Sequence, residues 1–294
     1  MSLHYDPLTI DMRGDYSAHF DLCSGKTSDY TFVNFWAWSD ERKYELAHAH
    51  SLFWPKINNP APSLWAPVGN WEEADWEHIL PDLFPEGAVF DRVPEELARI
   101  WEERLGNRVS LEDRRSEWEY IYSVEELISL KGNRFHKKKN LWKQFHKLYD
   151  SAYRQIGRDE VEEILELQQL WCEWKSCDDI PGLRAENHAI SRVLKNWDRF
   201  PGLLCGALHA DGNMVAYSVG EPMTDDMVVV HFEKGLADYK GVYQAINRDF
   251  LEHSCAGFTW ANREQDMGEE GVRKAKESYN PVRFLKKYRA AWKG

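Results

Sequence analysis

A dense run of large polar side chains follows a short apolar segment near the carboxyl terminus. Residues 262–266 read Asn-Arg-Glu-Gln-Asp. Five consecutive large polar residues directly after a segment that is predicted to be a buried strand indicate a functional role. Amide, guanidinium and carboxylate groups in one place can bind an anion and move a proton. We therefore predict that Asn262, Arg263 and Asp266 bind substrate and that a proton is removed either by Glu264 or by Glu233, which lies in a second candidate region.

The charged helix predicted after this run carries two cations at helical spacing. Arg273 and Lys276 are three residues apart, so they share one face of a helix. We predict that both bind an anionic part of the substrate, although a salt-bridged helix surface would give the same pattern. Tyr279 follows, and we predict that it gives a proton to a leaving group. Beside Asn280 and Pro281 it could equally be a packing anchor.

A second candidate region joins a predicted strand to a predicted helix at residues 233–243. In a mixed sheet, such a junction exposes strand ends and the free amides of a helix N-terminus, which together suit an anionic ligand. Glu233 is a candidate proton acceptor, and Lys234 and Lys240 are candidate contacts to an anionic donor. The alternative is an ordinary strand exit with solvated charges.

A basic segment interrupts the acidic chain at residues 131–147. It holds seven Lys or Arg residues and no acidic one, with aromatic residues between them. Local positive charge attracts phosphates, and aromatic rings can stack on the bases of single-stranded RNA. We predict RNA contacts at the following basic side chains: Arg134, Lys137, Lys138, Lys139 and Lys143. An amphipathic helix with Trp142 and Phe145 facing a core is compatible with this function.

The composition limits the class of protein. The chain has 294 residues and a net charge of −12, which disfavours a protein that coats nucleic acid, and its 43% hydrophobic content excludes a disordered chain. No segment approaches the roughly 18 apolar residues of a membrane span, and the opening residues lack signal-peptide features, so we predict a cytoplasmic protein. Five scattered cysteines predict reduced thiols and no disulfide framework, and we predict no metal site.

The elements that position these residues are clearest in the last third of the chain. Residues 203–208, 214–219 and 227–232 are predicted strands, with a hairpin signal at Asp211-Gly212. A helix with one apolar stripe spans residues 239–253, and a strand at 257–261 follows it. An antiparallel meander followed by a strand–helix–strand crossover predicts a mixed sheet. Earlier, the aromatic residues 30–38 predict a strand or a strand running into a helix.

Several of these strings together resemble one known family. They are residues 130–145, Phe232-Glu233-Lys234, residues 240–247, residues 262–268 and residues 273–281. The chain is similar to soluble bacterial proteins whose domain resembles the C-terminal catalytic domain of phosphatidylglycerol lysyltransferases. The resemblance implies an α+β or α/β fold of two tandem GNAT-like domains, each a mixed, mostly antiparallel sheet flanked by helices. The expected division is 1–148 and 149–294, with the active site in the second domain.

The same resemblance implies a reaction. It is the transfer of an aminoacyl group from charged tRNA to an amine or hydroxyl of a small molecule, a peptide or a lipid headgroup, as in the related Fem-type transferases. A CoA-dependent N-acyltransferase using acyl-CoA, and a non-catalytic binding protein on the same fold, are the alternatives. Residues 239–243 lack the glycine-rich pyrophosphate loop of acetyl-CoA-using relatives, which disfavours CoA bound in their manner.

Overall fold

The computed structural model describes residues 3–294, so Met1 and Ser2 of the predicted first domain lie outside the described residues. The chain forms two compact units. Unit 1 contains the chain up to Glu119 together with Gln265–Glu269 and Phe284–Gly294, and unit 2 contains Tyr120–Glu264 and Glu270–Arg283. The division predicted at residue 148 falls inside unit 2.

Helices and strands alternate irregularly along the chain. The helices are α1 (Arg13–Asp21), α2 (Phe32–Arg42), α3 (Trp76–Leu83), α4 (Glu95–Leu105), α5 (Val124–Ser129), α6 (His136–Leu148), α7 (Val161–Lys175), α8 (Pro181–Lys195), α9 (Val242–Ser254) and α10 (Glu270–Glu277). The strands are β1 (Asp6–Pro7), β2 (Glu45–Ala49), β3 (Leu52–Ile57), β4 (Ser63–Trp65), β5 (Ala88–Pro94), β6 (Val109–Asp113), β7 (Glu119–Ser123), β8 (Ser151–Gln155), β9 (Leu204–Ala210), β10 (Asn213–Thr224), β11 (Met227–Gly235), β12 (Trp260–Asn262), β13 (Arg283–Leu285) and β14 (Lys287–Trp292).

Unit 1 is built on a sheet in the order β1-β2-β3-β4-β5-β14-β6, in which β4 and β5 pair in parallel and the other neighbouring strands pair antiparallel. Its core is aromatic. Trp54, Trp76 and Trp101 are fully buried, and the ring centres of the last two lie 5.4 Å apart. The high tryptophan content of the chain therefore supplies core volume in this unit.

Unit 2 has a sheet with the strand order β7-β12-β11-β10-β9-β8. Strands β9, β10 and β11 form the predicted antiparallel meander, and β12 pairs with β11 in parallel after the crossover through α9. Val242, Ile246 and Phe250 form the buried stripe of α9, as their spacing predicts. The predicted fold class, mixed and mostly antiparallel GNAT-like sheets flanked by helices, is confirmed.

The prediction of a strand within residues 30–38 is wrong. Those residues enter α2, whose first turn is capped by the Thr31 side chain, which accepts a hydrogen bond from the Asn34 amide. Phe32 and Phe35 are buried three residues apart, a spacing that suits one face of a helix. Capping and this spacing outweigh the strand preference of aromatic and β-branched residues.

The prediction that all five cysteines are reduced is also wrong, because Cys172 and Cys177 form a disulfide. Helix α7 ends at Lys175, and Ser176 adopts a left-handed conformation that turns the chain back. This turn after α7 brings Cys177 back to Cys172, with 4.9 Å between their Cα atoms. Cys23, Cys205 and Cys255 are buried free thiols. Among residues 3–294, no helix has the length and apolar character to cross a membrane.

Candidate functional site

Arg263 occupies the centre of a polar group in unit 2. It follows β12, and its Nη2 donates a hydrogen bond of 2.9 Å to Oε1 of Glu233, near the carboxyl end of β11. The guanidinium carbon lies 4.9 Å from the centre of the Tyr279 ring. Three residues predicted from separate motifs, Glu233, Arg263 and Tyr279, therefore lie together.

Helix α9 contributes two amide side chains to this group that sequence reasoning missed. Asn247 Nδ2 donates to the second oxygen of Glu233 at 3.1 Å, and Gln244 Nε2 donates to the Tyr279 hydroxyl at 3.3 Å. Gln244 and Asn247 are three residues apart on one helix face, and this spacing just after the Glu233 strand was the available signal. Burial raises the pKa of Tyr279, and the nearby positive charge of Arg263 opposes that change.

Lys138 is the basic residue of α6 that joins this group. Its Nζ lies 3.9 Å from the centre of the Tyr279 ring, within the range of a cation–π contact. Burial and then repulsion by Arg263 lower the pKa of Lys138 to about 8. The other predicted RNA contacts differ from it: Lys137 and Lys143 are exposed, Lys139 is half-buried, and Arg134 is paired with the Glu126 carboxylate.

Lys276 supports the turn after β12. Its Nζ donates to the backbone carbonyl of Arg263 at 2.5 Å and to that of Glu264 at 3.1 Å. Asn262 is buried, and its side-chain oxygen accepts a hydrogen bond of 2.8 Å from the Glu264 amide. These contacts hold Glu264 in the left-handed region at φ 56°, which is uncommon for a non-glycine residue. Lys276 and Asn262 therefore fix the backbone that carries Arg263, and Arg273 lies half-buried on the same helix as Lys276.

Glu264 is bound to a histidine that the sequence patterns did not reveal. His231 Nδ1 donates to Oε1 of Glu264, and its Nε2 donates to Oε1 of Glu221, both at 2.9 Å. Burial lowers the pKa of His231, but the hydrogen bonds to the two carboxylates outweigh burial and raise it to about 10. Glu264 thus faces an imidazolium ion, so in this arrangement it already has a partner for its charge.

Lys234 and Lys240 do not join the Arg263 group. Lys234 is buried, donates to Oε2 of Glu186 at 2.7 Å and lies 4.2 Å from the Trp171 ring centre. It neighbours Glu233 on β11, and adjacent residues of a strand point to opposite faces. Lys240 is exposed. The role predicted for these two lysines as contacts to an anionic donor stays a prediction, and Lys234 already has Glu186 as its ionic partner.

Asp266 lies in the other unit. Gln265–Glu269 belongs to unit 1, where Asp266 Oδ1 accepts from the Gly268 amide at 2.8 Å and Oδ2 lies 3.4 Å from Nη1 of Arg115. The five-residue polar run is thus divided after Glu264. Asp266 stabilises its own turn and belongs to a different unit from Arg263.

Unit 1 contains a separate buried charge network. The Lys287 ammonium is paired with the carboxylates of Asp29 and Glu119, and Arg92 is paired with Asp29. Glu119 also accepts two hydrogen bonds from Ser28, one of 3.0 Å from its amide and one of 2.8 Å from its hydroxyl. Burial raises the pKa of Asp29, but Arg92 and Lys287 outweigh it and lower the pKa overall. Each of these four charged groups has an opposite charge beside it.

Comparisons with known proteins agree with this architecture. The chain is similar over 99% of its length to all of a conserved protein of unknown function from Bacteroides thetaiotaomicron, with 29% identity and a TM-score of 0.88. It shares its fold with L-PGS from Bacillus licheniformis at 12% identity and a TM-score of 0.64, covering 95% of this chain and 91% of that one. FemX is 8% identical with a TM-score of 0.59, covering 99% and 98% of the two chains.

The sequence comparison identifies the family. Residues 20–291 match the family described as phosphatidylglycerol lysyltransferase, C-terminal, and the chain belongs to that family. An uncharacterised protein of Mycoplasmoides gallisepticum is 23% identical over 172 residues, which are 58% of this chain. The match spans 54%, about half, of the length of that curated relative. The predicted family is thereby confirmed.

Proposed function

We propose that this protein transfers an aminoacyl group from charged tRNA to an amine or hydroxyl of an acceptor molecule. The observation that carries the proposal is the group of Glu233, Arg263 and Tyr279 at the ends of β11 and β12, in a chain that belongs to the lysyltransferase family. The family description makes lysine the first aminoacyl group to test. Charged tRNA is a cytoplasmic substrate, and we propose that location.

In this reaction the acceptor attacks the carbonyl carbon of the aminoacyl ester. A bond from nitrogen or oxygen to that carbon forms, and the bond to the ribose oxygen breaks. Arg263 Nη1 is buried and, within residues 3–294, has no hydrogen-bond partner, so it is a donor available to an oxyanion of the substrate. Tyr279 supplies a hydroxyl beside the leaving ribose oxygen. Glu233 or Glu264 was the predicted proton acceptor, but both carboxylates are already engaged, by Arg263 and by His231.

Helix α6 supports tRNA as the donor. Lys139 and Lys143 are one helical turn apart, so they form a basic stripe, and exposed Lys137 adds further positive charge in the first turn of the helix. Such a stripe contacts the RNA backbone through charge and releases counterions. The proposed acceptor is a small molecule, a peptide or a lipid headgroup.

The amino end of α9 argues against acyl-CoA as the donor. Gly241, at φ 86°, lies so close to α6 that a Cβ there would be 2.2 Å from the Leu141 carbonyl oxygen. The amide of Lys240 already donates to the Tyr149 hydroxyl at 3.0 Å. A pyrophosphate would need the backbone amides of this segment to be open. The segment that would hold CoA is therefore covered by α6 and by Tyr149, which follows that helix.

The test uses the full chain and tRNA charged with radiolabelled lysine, followed by tRNA charged with the other amino acids. Filter binding at several salt concentrations measures affinity, and release of label from tRNA to a mixture of amines, peptides and anionic phospholipids measures transfer. The variant Lys139→Gln/Lys143→Gln should lower the affinity and flatten its salt dependence.

The matched control is Lys175→Gln/Lys195→Gln, which removes two exposed lysines from α7 and α8 and changes the net charge equally. We expect this control to bind like the unaltered chain. Absence of tRNA binding, or equal loss in both double variants, would show that α6 is not an RNA site. Stabilisation by acetyl-CoA in a thermal-shift assay would instead favour the acyl-CoA alternative.

A further inference from the structure

Lys138 differs from the other lysines of α6 in the direction it faces. Residues 138, 142 and 145 are spaced by four and three, so they lie on one face of the helix. Phe145 of that face is fully buried and Trp142 packs against the same core cluster. This places Lys138 on the inward side, where its Nζ lies over the Tyr279 ring. An RNA-contacting lysine would instead lie on the exposed side, as Lys143 does.

Lys138 is also the titratable member of the Arg263 group that has no fixed ionic partner. Within the described part of the chain, it contacts the Tyr279 ring and is paired with no carboxylate. The two candidate carboxylates are occupied, because Glu233 accepts from Arg263 and Asn247 and Glu264 accepts from His231. A proton acceptor must be free to change its charge during the reaction, and Lys138 meets that condition.

The surroundings of Lys138 balance its two protonation states. Burial and the charge of Arg263, from the segment after β12, favour the neutral amine and lower its pKa to about 8. The face of the Tyr279 ring, from the segment after α10, favours the ammonium ion. Glu233 of β11 is paired with Arg263, and Lys137 and Lys139 flank Lys138 on its own helix. A group that titrates near neutral pH can both take and return a proton.

We propose that Lys138 is the catalytic proton shuttle of this site, an assignment that rests on the proposed aminoacyl transfer. The neutral amine takes the proton of the attacking nitrogen or oxygen as that atom bonds to the ester carbonyl carbon. The resulting ammonium gives the proton to the ribose oxygen as its bond to the same carbon breaks. The lysine ends in its starting state, so the step needs no second proton donor or acceptor, and the Tyr279 hydroxyl offers the ribose oxygen a hydrogen bond and keeps its proton.

The first test does not depend on activity. Trace labelling with acetic anhydride between pH 6 and pH 11, followed by peptide mass spectrometry, measures the fraction of each lysine that is neutral. Lys138 should reach half of its full reactivity near pH 8. In Arg263→Gln, the Lys138 transition should move to higher pH. A Lys138 transition at the ordinary lysine value of about 10.4 would overturn the proposal.

The second test uses the transfer reaction. Lys138→Met should lower kcat by about 100-fold or more with little change in KM for charged tRNA. The rise in rate through pH 8 should disappear with it. Lys138→Arg keeps the positive charge but cannot release a proton at this pH, so it should be equally slow. The matched control Lys139→Met should instead raise KM and keep kcat.

These outcomes separate the two proposals. If the unaltered chain transfers no aminoacyl group, the proposed function fails and the shuttle fails with it. If the unaltered chain is active and Lys138→Arg retains its rate, the role is electrostatic and only the shuttle is overturned. Circular dichroism and urea unfolding of each variant confirm that a slow variant is folded.

Discussion

Two lysines with opposite surroundings distinguish the two units of this protein. Lys287 in unit 1 is fully buried and paired with Asp29 and Glu119, and these carboxylates outweigh burial and raise its pKa. Lys138 in unit 2 is half-buried, lies on an aromatic ring and has Arg263 nearby, so its pKa falls to about 8. The first arrangement holds a charge permanently. The second leaves a charge free to change, which is a property of functional sites.

The difference extends to the groups around each lysine. In unit 1, Asp29, Arg92, Glu119 and Lys287 bring two negative and two positive charges together. In unit 2, Arg263 is paired with Glu233, whereas half-buried Lys138 has no carboxylate beside it within the described residues. A cation that is partly removed from water without a paired negative charge costs free energy. The comparison therefore favours a structural role for the network in unit 1 and a ligand or reaction for the group in unit 2.

The largest expected effect comes from breaking the unit 1 network. Lys287→Met leaves Asp29 and Glu119 buried without their shared cation, and we expect a loss of about 3–5 kcal/mol in the free energy of unfolding. Urea unfolding followed by tryptophan fluorescence measures this loss. The adjacent Lys286→Met removes an exposed pair with Glu95 and should leave the midpoint almost unchanged. A similarly small change for Lys287→Met would show that the network does not stabilise unit 1.

His231 tests whether a paired buried cation in unit 2 behaves like Lys287. Its folded pKa of about 10 lies above the ordinary value of 6.5, so its contribution to stability is fully present below pH 6.5 and is lost as the pH rises through 10. His231→Gln should therefore lower the unfolding free energy by about 3 kcal/mol at pH 6, and by much less near pH 11. Urea midpoints at pH 6, 8 and 11 measure the difference.

The control for this experiment is His78→Gln, because His78 pairs with Asp75 on the surface and is largely exposed. Its midpoint should follow that of the unaltered chain at each pH. A pH-independent loss in His231→Gln would assign the effect to lost packing and not to the charged pair.

Much of unit 2 could be predicted from local sequence patterns. The stripe of Val242, Ile246 and Phe250 indicated α9, and the Asp211-Gly212 signal indicated the turn between β9 and β10. Strand ends then brought Glu233 and Arg263 together, as a parallel pair around a crossover helix requires. These features depend on residues close in sequence, where periodicity and turn chemistry are strong signals.

The unit 1 network could not be predicted in that way. Asp29 and Lys287 are separated by 258 positions, and no local pattern pairs them. The composition also did not indicate that the chain leaves unit 2 after Glu264, so the sequence did not show that Asp266 belongs to unit 1. Two patterns in the sequence indicate further residues of the candidate site. A histidine inside the apolar strand 227–232 requires a partner, and the spacing of residues 138, 142 and 145 turns Lys138 inward.

A smaller effect is expected at Lys234, which tests whether pairing or location decides the role of a lysine. It lies in unit 2 beside Glu233 but is paired with Glu186 at 2.7 Å. Lys234→Met should lower the unfolding free energy by about 1–2 kcal/mol, less than Lys287→Met because Glu186 is 26% exposed and can be solvated. Aminoacyl transfer should be unaffected at a temperature where the variant is folded. A large loss of activity without loss of stability would return Lys234 to the predicted anion site.

The smallest change in stability is expected at Lys138, although its effect on activity is the largest. In the range between its folded pKa of about 8 and the ordinary value near 10.4, the unfolded chain binds more protons, so this lysine makes stability rise with pH. Below pH 8, Lys138→Met removes a half-buried, unpaired charge and loses only a cation–π contact, so its unfolding free energy should match or exceed that of the unaltered chain by up to about 1 kcal/mol. Above pH 10 this gain in stability should vanish.

Two outcomes decide the role of Lys138. A loss of stability as large as that of Lys287→Met would mean that Lys138 is a structural cation. A variant that is stable but inactive would show that Lys138 serves the reaction at a cost in stability.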